Sequence, residues 1–133
     1  MIYVMDATAV IDLLVRSDAG ERVRHRLVAD TDATLLSVAH LDAEAFSGLA
    51  RLQRAGELTT AEVGELLSRL AQLDVRRVPI SGAMLDAAWR MRDNIAARDA
   101  LYVAAARHLG SALLTTDERL ARAVPDLAVQ LAG

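Results

Sequence analysis

Apolar positions in this chain fall into short runs and helical stripes that alternate from one end to the other. Ile2-Tyr-Val-Met5 is a compact apolar run suited to a buried strand, and it stops at Asp6. Ala7–Leu14 then places apolar residues at helical spacing, and Asp18-Ala-Gly-Glu21 has the form of a capping box opening a second helix to about Val28. A polar loop leads into Thr34–Val38, a second short strand. Leu41, Ala45, Leu49 and Leu52, widened by Phe46 and Ala50, make one helical stripe that ends at Gly56. Thr59-Thr-Ala-Glu62 opens the next helix, with Val63, Leu66, Leu67, Leu70 and Leu73 on its apolar side. These two helices form an αα-hairpin whose stripe is long enough to serve a partner subunit as well as the core.

The same alternation continues to the end of the chain. Val75–Ile80 is a third strand, with Pro79 placing its end near an edge. Ser81 caps a helix whose Met84, Leu85, Ala88, Trp89 and Met91 read as packing residues. Asp99 opens an almost wholly apolar helix that runs to Leu109 and stops at Gly110. Ala112–Leu114 follows as a strand buried on both faces, then Thr115-Thr-Asp117 as a turn, a short helix over 118–124 and a last edge strand at Leu127–Val129. This order predicts one domain over residues 1–133, a three-layer α/β/α fold around a mainly parallel sheet.

Composition narrows the function. The chain has no cysteine, which removes disulfides, thiolate zinc sites and a cysteine nucleophile. No apolar run reaches the ~18 residues of a membrane span, and Met1–Asp6 lacks the basic start and cleavage site of a signal peptide. A cytoplasmic protein is the expectation. The net charge of -3 excludes nucleic-acid binding by bulk attraction alone. It does not exclude a nuclease, because divalent metals let an acidic pocket meet phosphate. All 15 basic residues are Arg, which reflects either phosphate recognition or a GC-rich genome. Arg22, Arg24 and Arg26 read as a solvated helix face.

Four acids occupy suggestive places. Asp6 and Asp117 lie at the carboxyl ends of strands, the edge at which open α/β sheets bind ligands; Asp6 reads equally as a helix cap. Glu44 borders the buried stripe of its helix, with Gly48 one turn on removing bulk beside it, and Asp99 sits at a helix start. Carboxylates brought into one pocket repel each other unless a cation joins them, and hard oxygen donors suit magnesium or manganese. Arg90, Arg92, Asn94 and Arg98 precede Asp99, as phosphate contacts or as a charged loop.

Val4-Met-Asp-Ala-Thr8, His40-Leu-Asp-Ala-Glu44, Asp99-Ala-Leu-Tyr-Val-Ala104 and Leu114-Thr-Thr-Asp-Glu-Arg-Leu-Ala121 resemble, in order and spacing, the successive signatures of PIN-domain ribonucleases. The likeness is greatest to the VapC toxins of bacterial toxin–antitoxin modules. It implies a metal site of Asp6, Glu44, Asp99 and Asp117, magnesium or manganese as cofactor, and endonucleolytic cleavage of RNA. It also implies a homodimer and a small VapB-like antitoxin that inhibits the enzyme. Thr8 matches the family's hydroxyl residue beside the first acid, and Thr116 is placed to orient the last acid or a water. Arg92 and Arg98 are the candidate RNA contacts.

Competing chemistries lack their residues. No Gly-rich phosphate loop is present. Residue 8 is Thr where an aspartyl-phosphate phosphatase needs a second Asp, and a receiver domain needs the lysine this chain does not have. His25 and His108 read as surface positions; His40, four residues before Glu44, is either a shared metal ligand or a helix-entry contact. The alternative to a nuclease is a silent PIN-like module kept for dimerisation or partner capture.

Overall fold

The computed structural model describes residues 1–131. Its elements run β1 (Ile2–Met5), α1 (Ala7–Val15), α2 (Asp18–Ala29), β2 (Thr34–Val38), α3 (Leu41–Arg54), α4 (Thr60–Gln72), β3 (Arg76–Val78), α5 (Gly82–Arg90), α6 (Ala97–His108), β4 (Ala112–Leu114) and α7 (Glu118–Ala123). Among the described residues the sheet has four strands, all parallel, in the order β3-β2-β1-β4. Helices cover both faces, which gives the expected three layers and explains why β1 is apolar on both sides, with Tyr3, Val4 and Met5 fully buried. No helix among the described residues is long and apolar enough to cross a membrane.

β1 is central. Its register sets Met5 against Leu114 of β4, and Asp6 donates its N–H to the Leu114 carbonyl at 3.3 Å. The carboxyl ends of these neighbouring strands therefore finish together. On the other side of β1, Ser37 of β2 donates its hydroxyl to the Met5 carbonyl at 2.6 Å, tying down the last turn of backbone before Asp6.

α1 ends at Arg16, whose φ of 59° is the one left-handed non-glycine backbone among the described residues. That sharp exit lets Ser17 cap α2 and fold it directly back along α1. The two backbones meet at Gly20, where a side-chain carbon would overlap the Asp12 carbonyl. α4 is closed by Arg77, which donates to both oxygens of Asp42 at 2.8 and 3.1 Å and to the carbonyls of Leu70, Leu73 and Val75.

Six expectations change. α2 is capped by Ser17, whose hydroxyl accepts from the Gly20 N–H at 3.1 Å, so Asp18 lies in the first turn and is not the start of a capping box. The third strand shrinks to Arg76–Val78, because Pro79 cannot donate to the ladder. α6 begins at Ala97, so Asp99 lies inside the first turn instead of capping it. The edge strand at Leu127–Val129 reduces to a single bridge between Leu113 and Ala128, since Leu113 is the only β4 residue bonding to that segment. Phe46, Leu85 and Trp89 are exposed by 56, 54 and 66%. α5 packs through the row of Met84, Ala88 and Met91; Leu85 and Trp89, one turn apart, lie round the side from that row and face outward. Gly48 makes room for the tip of Ile11 and not for Glu44.

Candidate active site

Asp6 stands at the carboxyl end of β1, beside the end of β4. It caps α1, its Oδ1 accepting from the Ala9 N–H at 2.9 Å and the Thr8 hydroxyl at 2.8 Å. Its Oδ2 accepts a short hydrogen bond from Thr115, at the end of β4. The residue is only 2% exposed. Burial pushes its carboxyl from the ordinary 3.8 up to about 6, against the three hydrogen bonds that favour the charge and with a small push from Asp99.

Glu44 is held at both oxygens. His40 Nε2 lies 3.2 Å from Oε1, one helical turn away, and the Tyr102 hydroxyl donates to Oε2 at 3.3 Å from α6. The His40 and Tyr102 rings pack with centroids 4.9 Å apart. Burial and the neighbouring Glu44 charge hold the Tyr102 phenol well above its ordinary acidity range, so it stays a donor. His40 Nδ1 is buried with no hydrogen-bond partner among the described residues. His40 thus supports Glu44 through its side chain.

Asp99 projects from the first turn of α6, and burial raises its carboxyl above the ordinary range, opposed by Arg98 and reinforced by Asp117. Asp117 caps α7, its Oδ1 accepting from Arg119 and Leu120 N–H groups at 3.0 and 3.2 Å. Its own N–H donates to Thr115 Oγ1 at 3.0 Å. Thr115 therefore links the first and last acids through one hydroxyl.

A single cavity of about 330 Å³ is lined by Asp6, Glu44, Asp99 and Asp117 together. Thr8 and Tyr102 add polar wall, while Arg51 and Arg98, both exposed, supply the positive charge. The cavity thus brings together all four sequence-chosen acids, Thr8 and Arg98. Thr116 and Arg92 do not line it. Thr116 donates to Asp12 Oδ2 at 2.6 Å, and Arg92 lies 4.8 Å over the Trp89 ring and donates to the Trp89 carbonyl.

Four contributors escaped the sequence reading. Thr115 was masked by its twin Thr116, and only strand register shows which hydroxyl faces Asp6. Asp12, a lone polar residue within the apolar α1 pattern, was a readable signal; it fixes the loop before Asp117 through Thr116 and accepts from Ser17 at 2.8 Å. Tyr102 lies inside a quoted motif, but its bond to Glu44 crosses 58 positions. Arg51 stands two turns beyond Glu44 on the same helix face.

No group of three or more acidic or imidazole side chains among the described residues is gathered closely enough to cage a metal ion directly. The acids surround a space and do not close on a point.

Sequence and fold relate this chain to known proteins. The PIN domain model matches residues 3–124. The chain is 49% identical over 123 residues to the ribonuclease VapC3 of Mycobacterium tuberculosis, covering 92% of this chain and 87% of that one. It is 36% identical over 121 residues to the ribonuclease VapC1 of the same organism, covering 90 and 89%. In fold it is similar to a chain of the VapBC2 structure from Rickettsia felis bound to a promoter DNA fragment, with a TM-score of 0.71, full coverage of both chains and 14% identity. The chain belongs to the PIN-domain family, in its VapC group.

Proposed function

We propose that this protein is the endoribonuclease toxin of a toxin–antitoxin module and hydrolyses RNA phosphodiester bonds at the acid cavity with magnesium or manganese. One observation carries the reading: four carboxylates from four separate segments, spread from residue 6 to residue 117, line one cavity. The VapC relatives, named as ribonucleases, support it.

The donor set fits a hard divalent cation. Asp6 is buried with no cationic partner among the described residues, and burial outweighs its three hydrogen bonds, so its carboxyl sits near 6. The four acids lining the cavity offer hard oxygen donors of the kind that suit magnesium or manganese. Asp6, Glu44, Asp99 and Asp117 would hold it. When bound, such an ion neutralises phosphate charge and makes a water more acidic. The protein's own part is positional: Thr8 and Thr115 aim the Asp6 oxygens, His40 and Tyr102 aim those of Glu44, and Arg51 and Arg98 meet the phosphates. A homodimer and a VapB-like antitoxin complete the proposed assembly, supported by the VapC relationship.

The direct test is cleavage of a mixed cellular RNA pool by purified, antitoxin-free protein with magnesium or manganese, beside Asp99→Asn. Discrete fragments from the wild type alone are expected. Equal cleavage by the variant would remove Asp99 from the site, and no cleavage by folded wild type would favour a silent module.

Tyr102→Phe isolates the support given to Glu44. The ring volume is kept and one hydrogen bond is lost, so affinity for magnesium should fall about tenfold. Titration calorimetry without RNA reads this, and an unchanged affinity would show that the Tyr102 hydroxyl does not matter for Glu44.

A further inference from the structure

We propose that the RNA strand continues out of the acid cavity into a second, arginine-lined channel between α2 and the segment 125–131, where its phosphates are gripped by Arg22 and Arg122. This inference rests on the nuclease reading above.

The channel is larger than the acid cavity. One part, about 600 Å³, is lined by Arg22 of α2, Thr115, Thr116, Glu118, Arg122 of α7 and Gln130, with an apolar wall from Ala121 and the segment 125–131. A second part, about 280 Å³, shares Arg22 and Gln130 and extends along α2 past His25 to Arg26. The shared residues join the two parts. Arg22 and Arg26 are one helical turn apart on the same face.

Thr115 connects this channel to the chemistry. Its hydroxyl donates to Asp6 while the same residue lines the channel, so the partition is one side chain thick. The next acids along the chain divide likewise: Asp117 lines the acid cavity and Glu118 the channel. Thr115 itself is buried, so a strand passes from the first space to the second over the segment 115–118.

Charge supports the same path. Arg51 and Arg98 are, among the described residues, the only cations lining the four-carboxylate cavity, in a protein of net charge -3, so phosphates beyond that cavity need further cations. Among the described residues Arg22 has no acidic partner within salt-bridge distance. Arg122 has only Glu118 at 3.9 Å, and both side chains are more than 70% exposed, so that pair gives way readily to a phosphate. Glu21, at the channel wall, is already occupied by Arg16 and Arg24. Guanidinium forks match phosphate oxygens in pairs. The arginine row first read as a solvated face thus has one side turned into a channel. Its grip is on the backbone, so it adds affinity without selecting bases.

The test uses an RNA fragment that the wild type cleaves, fluorescently labelled and bound to protein carrying Asp99→Asn to prevent cutting. Adding Arg22→Gln and Arg122→Gln should weaken binding about tenfold at moderate salt and flatten the log–log salt dependence by about one to two. In otherwise wild-type protein the same pair should act chiefly through KM. Gln130→Arg, at an exposed channel position, should tighten binding and steepen the salt dependence. Should Arg22→Gln impair folding, the exposed Arg122→Glu and Gln130→Arg decide the matter. Unchanged affinity in all these variants, with cleavage intact, would overturn the channel and leave the nuclease standing. Failure of the wild type to cut any RNA would bring down both.

Discussion

Asp6→Asn is expected to lower RNA cleavage by about a hundredfold and, in the same protein without metal at pH 7.5, to raise the melting temperature by several degrees. The two effects have one origin. In the folded state burial favours the protonated carboxyl up to about pH 6, whereas the unfolded chain releases that proton near 3.8. Between those values the folded state binds more protons than the unfolded state. Stability from this group is therefore fully present below 3.8 and is lost as pH rises through about 6. The deficit at neutral pH is on the order of 3 kcal/mol.

Asparagine has no charge to bury. It keeps the oxygen that accepts from Ala9 and Thr8, so α1 stays capped. Its amide nitrogen faces Thr115, whose hydroxyl has lone pairs to accept with. Thermal melts from pH 7.5 down to 4.5 should show the gain shrinking as wild-type Asp6 becomes protonated. Magnesium should raise the wild-type melting temperature and raise that of the variant less. A variant less stable than wild type at pH 7.5 would show that the buried charge is not the dominant cost at this position.

Gly20→Ala is expected to destabilise the fold by about 3 kcal/mol. The added carbon would overlap the carbonyl of Asp12 and lie 2.9 Å from the Leu13 nitrogen. These are main-chain atoms of α1, so no rotamer change relieves the overlap and the helices must separate. The damage then travels. Asp12 holds Thr116 through its carboxylate, and Thr116 precedes Asp117. Cleavage by the remaining folded protein should therefore fall as well, although Gly20 lines neither the cavity nor the channel. Gly64→Ala in α4 is the control: nothing lies within 4 Å of its added carbon, and it should gain up to about 1 kcal/mol. Urea unfolding of the three proteins reads both shifts; equal midpoints for Gly20→Ala and wild type would show that α1 and α2 separate without cost.

Local signals carried most of the architecture. Apolar runs bounded by Asp6, Gly110 and Asp117 were visible because a strand buried on both faces needs no partner to announce it. The helix caps at Ser81 and Thr59 were visible because capping is a contact within four residues. What stayed hidden depends on distant neighbours. Leu85 and Trp89 look like core until it is known that α5 is covered on one side only. The segment after Pro125 looks like a strand until β4 offers it a single residue to pair with. In the site, the acids stood out by chemistry, but Thr115 and Tyr102 work through bonds spanning 109 and 58 positions. Local pattern cannot choose between two adjacent threonines.

The strand order has a consequence for how the protein is made. β1, synthesised first, lies between β2 and β4, and β4 is the last strand of the sheet to leave the ribosome. Asp6 waits through more than a hundred residues for Thr115, and Asp99 and Asp117 also follow α1 to α5 in the order of synthesis. A nascent chain that has reached only α5 possesses two of the four acids and an open edge where the pocket wall belongs. On the proposed activity, the ribosome translating this message has made every strand of the sheet before any RNA near it is at risk.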